Sequence, residues 1–334
     1  MEKTVKTSKK RKKKGDARFL TFTHKKNSRV LAYILLLINV CVWGASFVIV
    51  KPSLTFTTPF RYLFYRFFIA SLFGIPIIVY YLKKIKITWR NVIEILALEL
   101  LGTTVSLALL YEGLARTSAL ESSFITTTGP LFIVLLGVWL LREKEKRNEW
   151  MGLSIAFLGT LLLLLPTSLN ESRLISVSYY GQLLIILQNI TIAIYYIAVK
   201  KLYKKLPKFF VASMSFIVGL VSFFVLSLAE SHFSVGLLMQ EIASDLVQPS
   251  VQIAAVYMGI LGSVIGLTLY IMGQDLIEVS EATLFSYLQP IIYIPLSVIV
   301  LGDTVQWRQI VALGLILGGV LLGEWKRKKQ KKGT

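Results

Sequence analysis

The stretch Glu281–Thr304, EATLFSYLQPIIYIPLSVIVLGDT, has no charged residue from Ala282 to Leu301, yet Pro290 lies near its middle. A second stretch, SSFITTTGPLFIVLLGVWLLREK at 122–144, has Pro130 at the corresponding point, 160 positions earlier. An uncharged run of roughly 20 residues is typical of a membrane-spanning helix. A proline inside such a helix leaves a carbonyl without its donor, and lipid cannot supply one. The two stretches therefore predict a membrane protein whose two broken helices are buried in protein or face water.

The rest of the chain has the same character. Of its 334 residues 55% are hydrophobic and 16% are charged, whereas soluble domains have about 25% charged residues. Ten windows are apolar enough to span a bilayer: 30–50, 59–82, 91–111, 122–141, 150–169, 179–199, 209–229, 251–273, 282–301 and 304–323. The segment 230–250 between two windows is interpreted as an outer loop. The fold class predicted is an all-α integral membrane protein with ten transmembrane helices.

Basic residues are unevenly distributed. Twelve of the 37 Lys and Arg residues precede Val30, and six follow Trp325. With ten spans, 31 of these residues lie on one side of the membrane, five lie on the other, and Arg66 lies within a span. This bias predicts a multi-pass protein of the plasma membrane with both termini in the cytoplasm. The basic tails, 1–29 and 324–334, are expected to contact anionic lipid head groups, and the charge does not indicate nucleic-acid binding.

Few residues could support catalysis or metal binding. Cys41, His24 and His232 are isolated from one another in the sequence, so no metal site or cofactor is expected. No phosphate-binding loop of the type GxxxxGK[ST] is present, so direct drive by ATP is not expected either. A membrane-embedded enzyme would need clustered acids, histidines or metal ligands. The chain is therefore not predicted to be an enzyme.

The chain contains an internal repeat. A shift of 149 superposes Lys51 on Lys200, and a shift of 160 superposes several glycine, proline and acidic positions: Gly102 and Gly262, Glu121 and Glu281, Pro130 and Pro290, Glu143 and Asp303, Gly159 and Gly319. The halves are 30–169 and 174–323, each with five predicted spans. Because five is odd, the second half is expected to cross the membrane in the opposite sense. Such inverted repeats are typical of secondary transporters, so we expect alternating access around one hydrophilic chamber.

Polar residues in the spans are candidates for the substrate path. Asn39, Trp43 and Ser46 share one helix face, as do Gln188 and Tyr195. Beside the two prolines lie Thr126 and Thr127 in the first half and Ser286, Tyr287 and Gln289 in the second. Two alternatives remain open: the hydroxyls near Pro130 and Pro290 could cap the kinks, and the polar faces could hold helices together.

Two charged residues lie well inside spans. A charge at a helix centre costs ~2.5–3.5 kcal/mol on insertion scales, so Arg66 is a functional candidate. Glu99 lies about two turns inside the next span. We expect either an ion pair between Arg66 and Glu99 or an Arg66 that binds an anionic group of the substrate. The alternative for Arg66 is a side chain that extends outward to the membrane surface.

Small residues mark the last span. Gly314, Gly318 and Gly319 predict that this helix approaches a partner closely, either within the chain or in a homodimer.

The stretch LALLYEGLARTSALESSFITTTGPLFIVLLGVWLLREK, running into GLSIAFLGTLLLL, resembles the EamA-type domain of the drug/metabolite transporter superfamily. So does LTLYIMGQDLIEVSEATLFSYLQPIIYIPLSVIVLGDTV, running into GLILGGVLLG, and VWGASF at 42–47 is similar to the family's first-helix motif. The resemblance covers 30–323. It implies a carrier of amino acids, other small metabolites or drugs, often outward and driven by ion gradients, with nucleotide-sugar carriers as relatives.

The sequence thus predicts a secondary active transporter of small organic solutes that exports its substrate by alternating access. A nucleotide-sugar or related metabolite exchanger is the alternative, and a membrane-embedded enzyme or a channel is less favoured.

Overall fold

The computed structural model describes residues 28–141, 147–164, 172–277, 285–286 and 288–331. Within these residues the backbone is helical, with short turns and no strand. The helices, in chain order, are α1 (28–50, continued by the 3-10 turn Lys51–Thr55), α2 (Pro59–Leu82), α3 (Trp89–Arg116), α4 (Ala119–Thr126 and Gly129–Leu141), α5 (Arg147–Leu164), α6 (Ser172–Leu202), α7 (Lys208–Glu230), α8 (Val235–Val247), α9 (Pro249–Leu276), α10 (Gln289–Leu301) and α11 (Trp307–Lys331).

Six of these helices contain segments long and apolar enough to cross a bilayer: Ser28–Thr55, Pro59–Leu82, Trp89–Arg116, Tyr179–Val199, Lys208–Glu230 and Pro249–Leu276. Shorter apolar stretches occur in α5, α10 and α11. Large apolar side chains face outward, and Phe68, Leu72 and Ile75 of α2 each expose about half of their surface. Since lipid and not water suits such a surface, the chain is a multi-pass membrane protein.

The described parts of the ten predicted windows are helical except for turns at Thr127, Thr128 and Leu288 and for residues 304–306. The structure differs from the prediction at 230–250, where the expected outer loop contains the 13-residue helix α8. The Ser234 side chain accepts a hydrogen bond from the Leu237 amide and so caps the start of α8. Leu238 and Asp245 are its buried positions. This 13-residue helix is too short to span a bilayer, and it lies in a segment whose charges suggested a loop.

Local sequence signals determine where helices begin. Thr58 accepts a hydrogen bond from the Arg61 amide, and Pro59 occupies the first position of α2, where its missing N–H costs nothing. Ser118 and Glu121 form a capping box in which each side chain accepts a hydrogen bond from the other residue's backbone amide. The capping box begins α4 only two residues after α3 ends at Arg116.

The helices predicted around Pro130 and Pro290 are both broken just before the proline, as predicted. α4 is interrupted at Thr127 and Thr128, just before Pro130, and the Thr128 amide donates to the Ile125 carbonyl at 3.0 Å. In the second half the chain turns at Leu288, whose amide donates to the Phe285 carbonyl at 2.9 Å, and α10 begins at Gln289 with Pro290 next. In both cases the proline lies at the start of a new helix, where it is tolerated.

Two helices carry matching π-helical segments. In α3 this segment is Leu100–Val105, and in α9 it is Tyr257–Gly266. The shift of 160 places the first segment within the second. A π-helical segment contains about one extra residue per turn and is frequent at functional sites.

Corresponding helices of the two halves pack together. α2 packs along α7, and α5 packs along α11. The second and fifth helices of one half therefore meet the second and fifth helices of the other. The cross-half contacts are also reciprocal, because α2 contacts the π-helical segment of α9 and α7 contacts that of α3.

Ion pairs define the two ends of the bundle. At one end, Arg61 of α2 pairs with Asp245 and Glu241 of α8; we call this the α8 end. At the opposite end, Lys205 pairs with Glu94, and Lys208 pairs with Asp275. The sequence prediction places the α8 end outside the cell.

Gly159 allows α5 to lie close against α11. A Cβ atom added there would be 2.8 Å from the Ala312 carbonyl oxygen and 2.9 Å from Ile316. At Gly314 and Gly318, by contrast, an added Cβ would meet nothing within 4 Å. Close approach of the last helix within the chain therefore depends on Gly159, and the predicted role of Gly314 and Gly318 in a homodimer stays a prediction.

Gly159→Ala is expected to destabilise the protein by about 1–3 kcal/mol, because the added methyl group overpacks a backbone contact. The matched control is Gly314→Ala, in the partner helix α11, which adds the same methyl group to open space. Thermal unfolding of both purified variants in detergent measures the difference. Equal melting temperatures for the two variants would show that the α5–α11 contact does not require the glycine.

Candidate functional site

Arg66 of α2 is half-buried and is held by two hydroxyl groups from other helices. Its Nε donates to Ser263 Oγ of α9 at 2.9 Å, and one terminal nitrogen donates to Tyr111 OH of α3 at 2.9 Å. The guanidinium also lies over the rings of Phe67 and Tyr111, at 5.3 and 5.9 Å from the ring centroids. Arg66 therefore points into the bundle and does not extend outward to the membrane surface.

The charge of Arg66 is not neutralised by the described part of the chain, in which no carboxylate forms an ion pair with it. Both partners are neutral hydroxyls that fix its orientation. A guanidinium has five N–H donors, so donors remain for another group. The Tyr62 ring lies near the Tyr111 ring, with the two centroids 5.2 Å apart. The buried Tyr62 hydroxyl has no hydrogen-bond partner among the described residues.

The structure does not bring Arg66 and Glu99 together. Glu99 of α3 is fully buried, and its oxygens accept hydrogen bonds from Thr103 Oγ1 at 2.9 Å and from Tyr195 OH of α6 at 3.0 Å. The expected ion pair is absent because each charged group is already held by hydroxyls of its own neighbours. Of the two predicted roles of Arg66, anion binding is the one that remains.

The predicted polar face of α1 contacts the π-helical segment of α9. The Asn39 side-chain amide donates to the Gly266 carbonyl at 2.8 Å, and the Trp43 indole donates to the Gly262 carbonyl at 3.0 Å. Ser46 donates to the Trp43 carbonyl in its own helix. Asn39 and Trp43 therefore join helices, which was the alternative to lining a path.

The predicted polar face of α6 makes the corresponding contact with α3. The Gln188 amide donates to Ser106 Oγ at 3.4 Å, and its buried Oε1 has no partner among the described residues. The repeat shifts relate Asn39 to Gln188 and Gly266 to Ser106. An amide side chain of each half therefore donates to the equivalent residue of the other half, to a backbone carbonyl in one case and to a hydroxyl in the other.

Hydroxyl groups at the break in α4 are used locally. Thr126 donates to the Ser122 carbonyl at 2.7 Å, and Thr127 donates to the Ser123 carbonyl at 2.8 Å. Asn189 of α6 donates to the Ile125 carbonyl at 2.8 Å across the break. These contacts favour the alternative in which the hydroxyls near Pro130 satisfy the broken helix, and a role in the substrate path stays a prediction.

The second break is described in part. Ser286 and Gln289 are half-buried, Pro290 is buried, and Tyr287 lies outside the described residues. An added Cβ at Gly44 of α1 would be 3.1 Å from the Gln289 carbonyl oxygen. α1 thus approaches the break in α10 as α6 approaches the break in α4.

Two cavities lie away from these polar contacts. A cavity of 20 Å³ lies among α2, α7 and α9, and a groove of 360 Å³ is lined by Pro76, Ile77, Tyr80, Tyr81 and Phe209. Neither is lined by a predicted path residue, so the expected hydrophilic chamber stays a prediction. Among the described residues, no three of His, Cys, Asp and Glu come close enough to hold a metal ion.

Several residues at the site were not singled out from the sequence, notably Tyr111, Thr103, Ser106 and Ser263. A signal for two of them was available, because the shift of 160 superposes Thr103 on Ser263. Both are hydroxyl residues in the π-helical segments, and each contacts an ionisable side chain, Glu99 in one half and Arg66 in the other.

Comparisons with known proteins agree with this architecture. The model of the EamA-like transporter family matches residues 30–165 and 179–323. An uncharacterized transporter of Archaeoglobus fulgidus is 27% identical over 88% of this chain and 99% of its own length. The uncharacterized transporter YcxC of Bacillus subtilis is 24% identical over 92% of this chain and 97% of its own length.

A crystal structure has the same fold. Its TM-score is 0.59 at 17% sequence identity, and the match covers 90% of this chain and 98% of that chain. At this identity the likeness concerns the fold alone. The family match, by contrast, extends over both halves of the sequence. The protein therefore belongs to the EamA-like transporter family, within the drug/metabolite transporter superfamily, and is a membrane transporter.

Proposed function

We propose that the protein is a secondary active transporter of small organic solutes that carry an anionic group, such as amino acids or other carboxylate metabolites. The observation that carries the proposal is Arg66, a guanidinium inside a membrane span that is oriented by Ser263 and Tyr111 and has no acidic partner in the described chain. Arginine binds carboxylates through two parallel hydrogen bonds. A substrate carboxylate would supply the missing counter-charge.

Alternating access is supported by the reciprocal contacts. The two halves exchange equivalent amide contacts, from Asn39 to α9 and from Gln188 to α3. Such contacts are expected when two similar five-helix bundles are inverted with respect to each other, which places ten spans in the membrane. Conformations of one bundle can then be adopted by the other, so that a site between them opens to each side in turn.

The proposed direction of transport follows from the family resemblance, and the proposed orientation in the membrane follows from the distribution of Lys and Arg. We place the protein in the plasma membrane with both termini in the cytoplasm, since Lys and Arg concentrate on that side. Export is the direction that the family resemblance favours. In this orientation the α8 end is outside, and Arg66, seven residues after Pro59, lies about 10 Å from the start of its helix.

Transport by the purified protein in liposomes tests the proposal. A panel of radiolabelled amino acids, other carboxylates, neutral solutes and nucleotide sugars is loaded, and flux is measured with and without a pH gradient and without ATP. We expect flux of at least one carboxylate solute above that of protein-free liposomes. A requirement for ATP hydrolysis would contradict a secondary transporter, and flux only in the presence of substrate on the opposite side would indicate an exchanger.

A further inference from the structure

Glu99 is the most completely buried carboxyl group of the described chain, with no exposed surface. It lies ten residues after the start of α3, which corresponds to about 15 Å along the helix. The described residues contain no ion pair to it. An ionised carboxylate buried without a counter-charge is costly by several kcal/mol, and taking up a proton removes that cost.

The titratable groups around Glu99 are neutral phenols or lie in ion pairs at the helix ends. On the elements packed around this part of α3, they are Tyr81 of α2, Tyr195 and Tyr196 of α6, Tyr203, and the pairs Glu94–Lys205 and Lys208–Asp275. Burial raises the pKa of Tyr203, which lies beyond the end of α6, so this phenol stays uncharged. None of these groups supplies a positive charge to Glu99 directly.

The hydrogen-bond partners of Glu99 suit both of its protonation states. Thr103 and Tyr195 each contact one of its two oxygens through a hydroxyl group. A hydroxyl can donate to an ionised carboxylate and can accept from a protonated one. A site that binds and releases a proton reversibly needs this property, whereas a cation or several backbone amides would favour the ionised carboxylate alone.

The hydrogen bond between Tyr195 and Glu99 also joins the two halves of the chain, next to a π-helical segment. Tyr195 belongs to α6, and the π-helical segment of α3 begins at Leu100, immediately after Glu99. The fit is close, because a Cβ added to Gly102 would be 2.2 Å from the Tyr195 ring. Separation of α6 from α3 must therefore break the hydrogen bond between Tyr195 and Glu99.

An apolar cluster closes the bundle on the side of Glu99 away from the α8 end. Its buried members are Ile95, Val199, Leu202, Leu206, Phe210 and Val211, from α3, α6 and α7 and the turn between them. Water that reaches Glu99 from this end must first separate these side chains. Hydration would then favour the ionised carboxylate, and closure would favour the protonated one.

We propose that Glu99 is a proton-binding site whose protonation is coupled to closure of the α3–α6 contact at the end of the bundle opposite α8. The carboxylate takes up a proton as the contact closes and releases it as the contact opens. Because this inference rests on the proposed secondary transport, it identifies the proton as the coupling ion of that transport.

Cysteine accessibility tests the inference without a substrate. The exposed native thiol is removed by Cys41→Ser, and Val199→Cys places a single thiol in the apolar cluster. Maleimide labelling rates are measured from about pH 5 to about pH 9, a range that includes the titration of buried carboxyl groups. The same measurement with Glu99→Gln is the matched control, because ionisation of the thiol contributes equally to both proteins.

We expect the ratio of the two labelling rates, Glu99 protein over Glu99→Gln protein, to rise several-fold with pH. A ratio that is constant across the range would overturn the proposal. If Glu99→Gln does not fold, Tyr195→Phe provides a second test, because it keeps the carboxyl and removes the hydroxyl from α6. At low pH its labelling rate should exceed that of the protein with Tyr195 several-fold when both are measured at the same pH, and an unchanged rate would also overturn the proposal.

The outcomes separate this inference from the proposed function. One outcome is carboxylate flux that does not respond to a pH gradient, together with a constant labelling ratio. This outcome would support the proposed transporter and contradict the proton site at Glu99. A pH-dependent ratio without flux of any solute on the panel would retain the proton site and contradict the proposed substrate class.

Discussion

Arg66→Ala is expected to lower the efficiency of carboxylate transport by about 30-fold or more while the protein stays folded. Removing one partner of a buried, hydrogen-bonded charge pair costs about 2–5 kcal/mol, and each 1.4 kcal/mol corresponds to about tenfold in affinity. Arg66→Lys keeps the positive charge but loses the planar pair of donors. Its transport efficiency should therefore lie between that of the unaltered protein and that of Arg66→Ala. Initial rates of flux over a range of solute concentrations measure the effect.

The matched control is Arg90→Ala, which removes an arginine whose side chain is 86% exposed and pairs with Glu94 at the surface. Its transport should equal that of the unaltered protein. Ser263→Ala and Tyr111→Phe each remove one hydroxyl that orients Arg66 and should have smaller effects than Arg66→Ala. Transport of a carboxylate that is unchanged by Arg66→Ala would remove Arg66 from the substrate site.

Asp245→Ala is expected to destabilise the α8 end by about 3–5 kcal/mol, the cost of leaving one member of a buried ion pair without its partner. Asp245 is 3% exposed and accepts hydrogen bonds from Arg61 Nε at 2.8 Å, Tyr65 OH at 2.8 Å and Thr57. Without it, Arg61 remains buried and keeps its ion pair with the partly exposed Glu241. Thermal unfolding and protease cleavage within α8 measure the loss.

Asp275→Ala is the control for this experiment, because Asp275 is 49% exposed and its pair with Lys208 belongs to the surface. Surface ion pairs contribute about 0–1 kcal/mol, so little change is expected. The double variant Arg61→Met with Asp245→Leu should recover part of the stability, since it removes both charges from the buried site. If Asp245→Ala and Asp275→Ala unfold alike, α8 is not held by this ion pair.

The helical architecture could be predicted because membrane helices need long apolar runs, and such runs can be identified in the sequence itself. The breaks before Pro130 and at Leu288 were predictable for a related reason, since proline removes a donor that lipid cannot replace. α8 was not predicted because its 13 residues are too short for a span and its acidic residues suggested solvent. Its buried Asp245 is explained by partners on and just before α2, among them Arg61, which is 184 positions away in the sequence.

The site was predicted less completely, because the sequence identifies polar residues but not their partners. Arg66 and Glu99 were found by their charge inside spans, yet their proximity in adjacent spans wrongly suggested an ion pair. Whether Asn39 or Trp43 faces a path or a neighbouring carbonyl depends on packing between the halves. The repeat could have supplied one partner, because the equivalence of Thr103 and Ser263 marks hydroxyl positions in both π-helical segments.

The packing of α2 on α7 and of α5 on α11 has an energetic consequence for a carrier of this kind. If the halves were identical in sequence, the states open to either side would be related by a two-fold rotation and would have the same free energy, so the empty protein would populate them equally. Any preference for one state must come from positions where the halves differ. Glu99 aligns with Gly259 in the repeat, and α8 has no counterpart among the described helices of the first half. In a carrier with alternating access we expect both differences to contribute to such a preference.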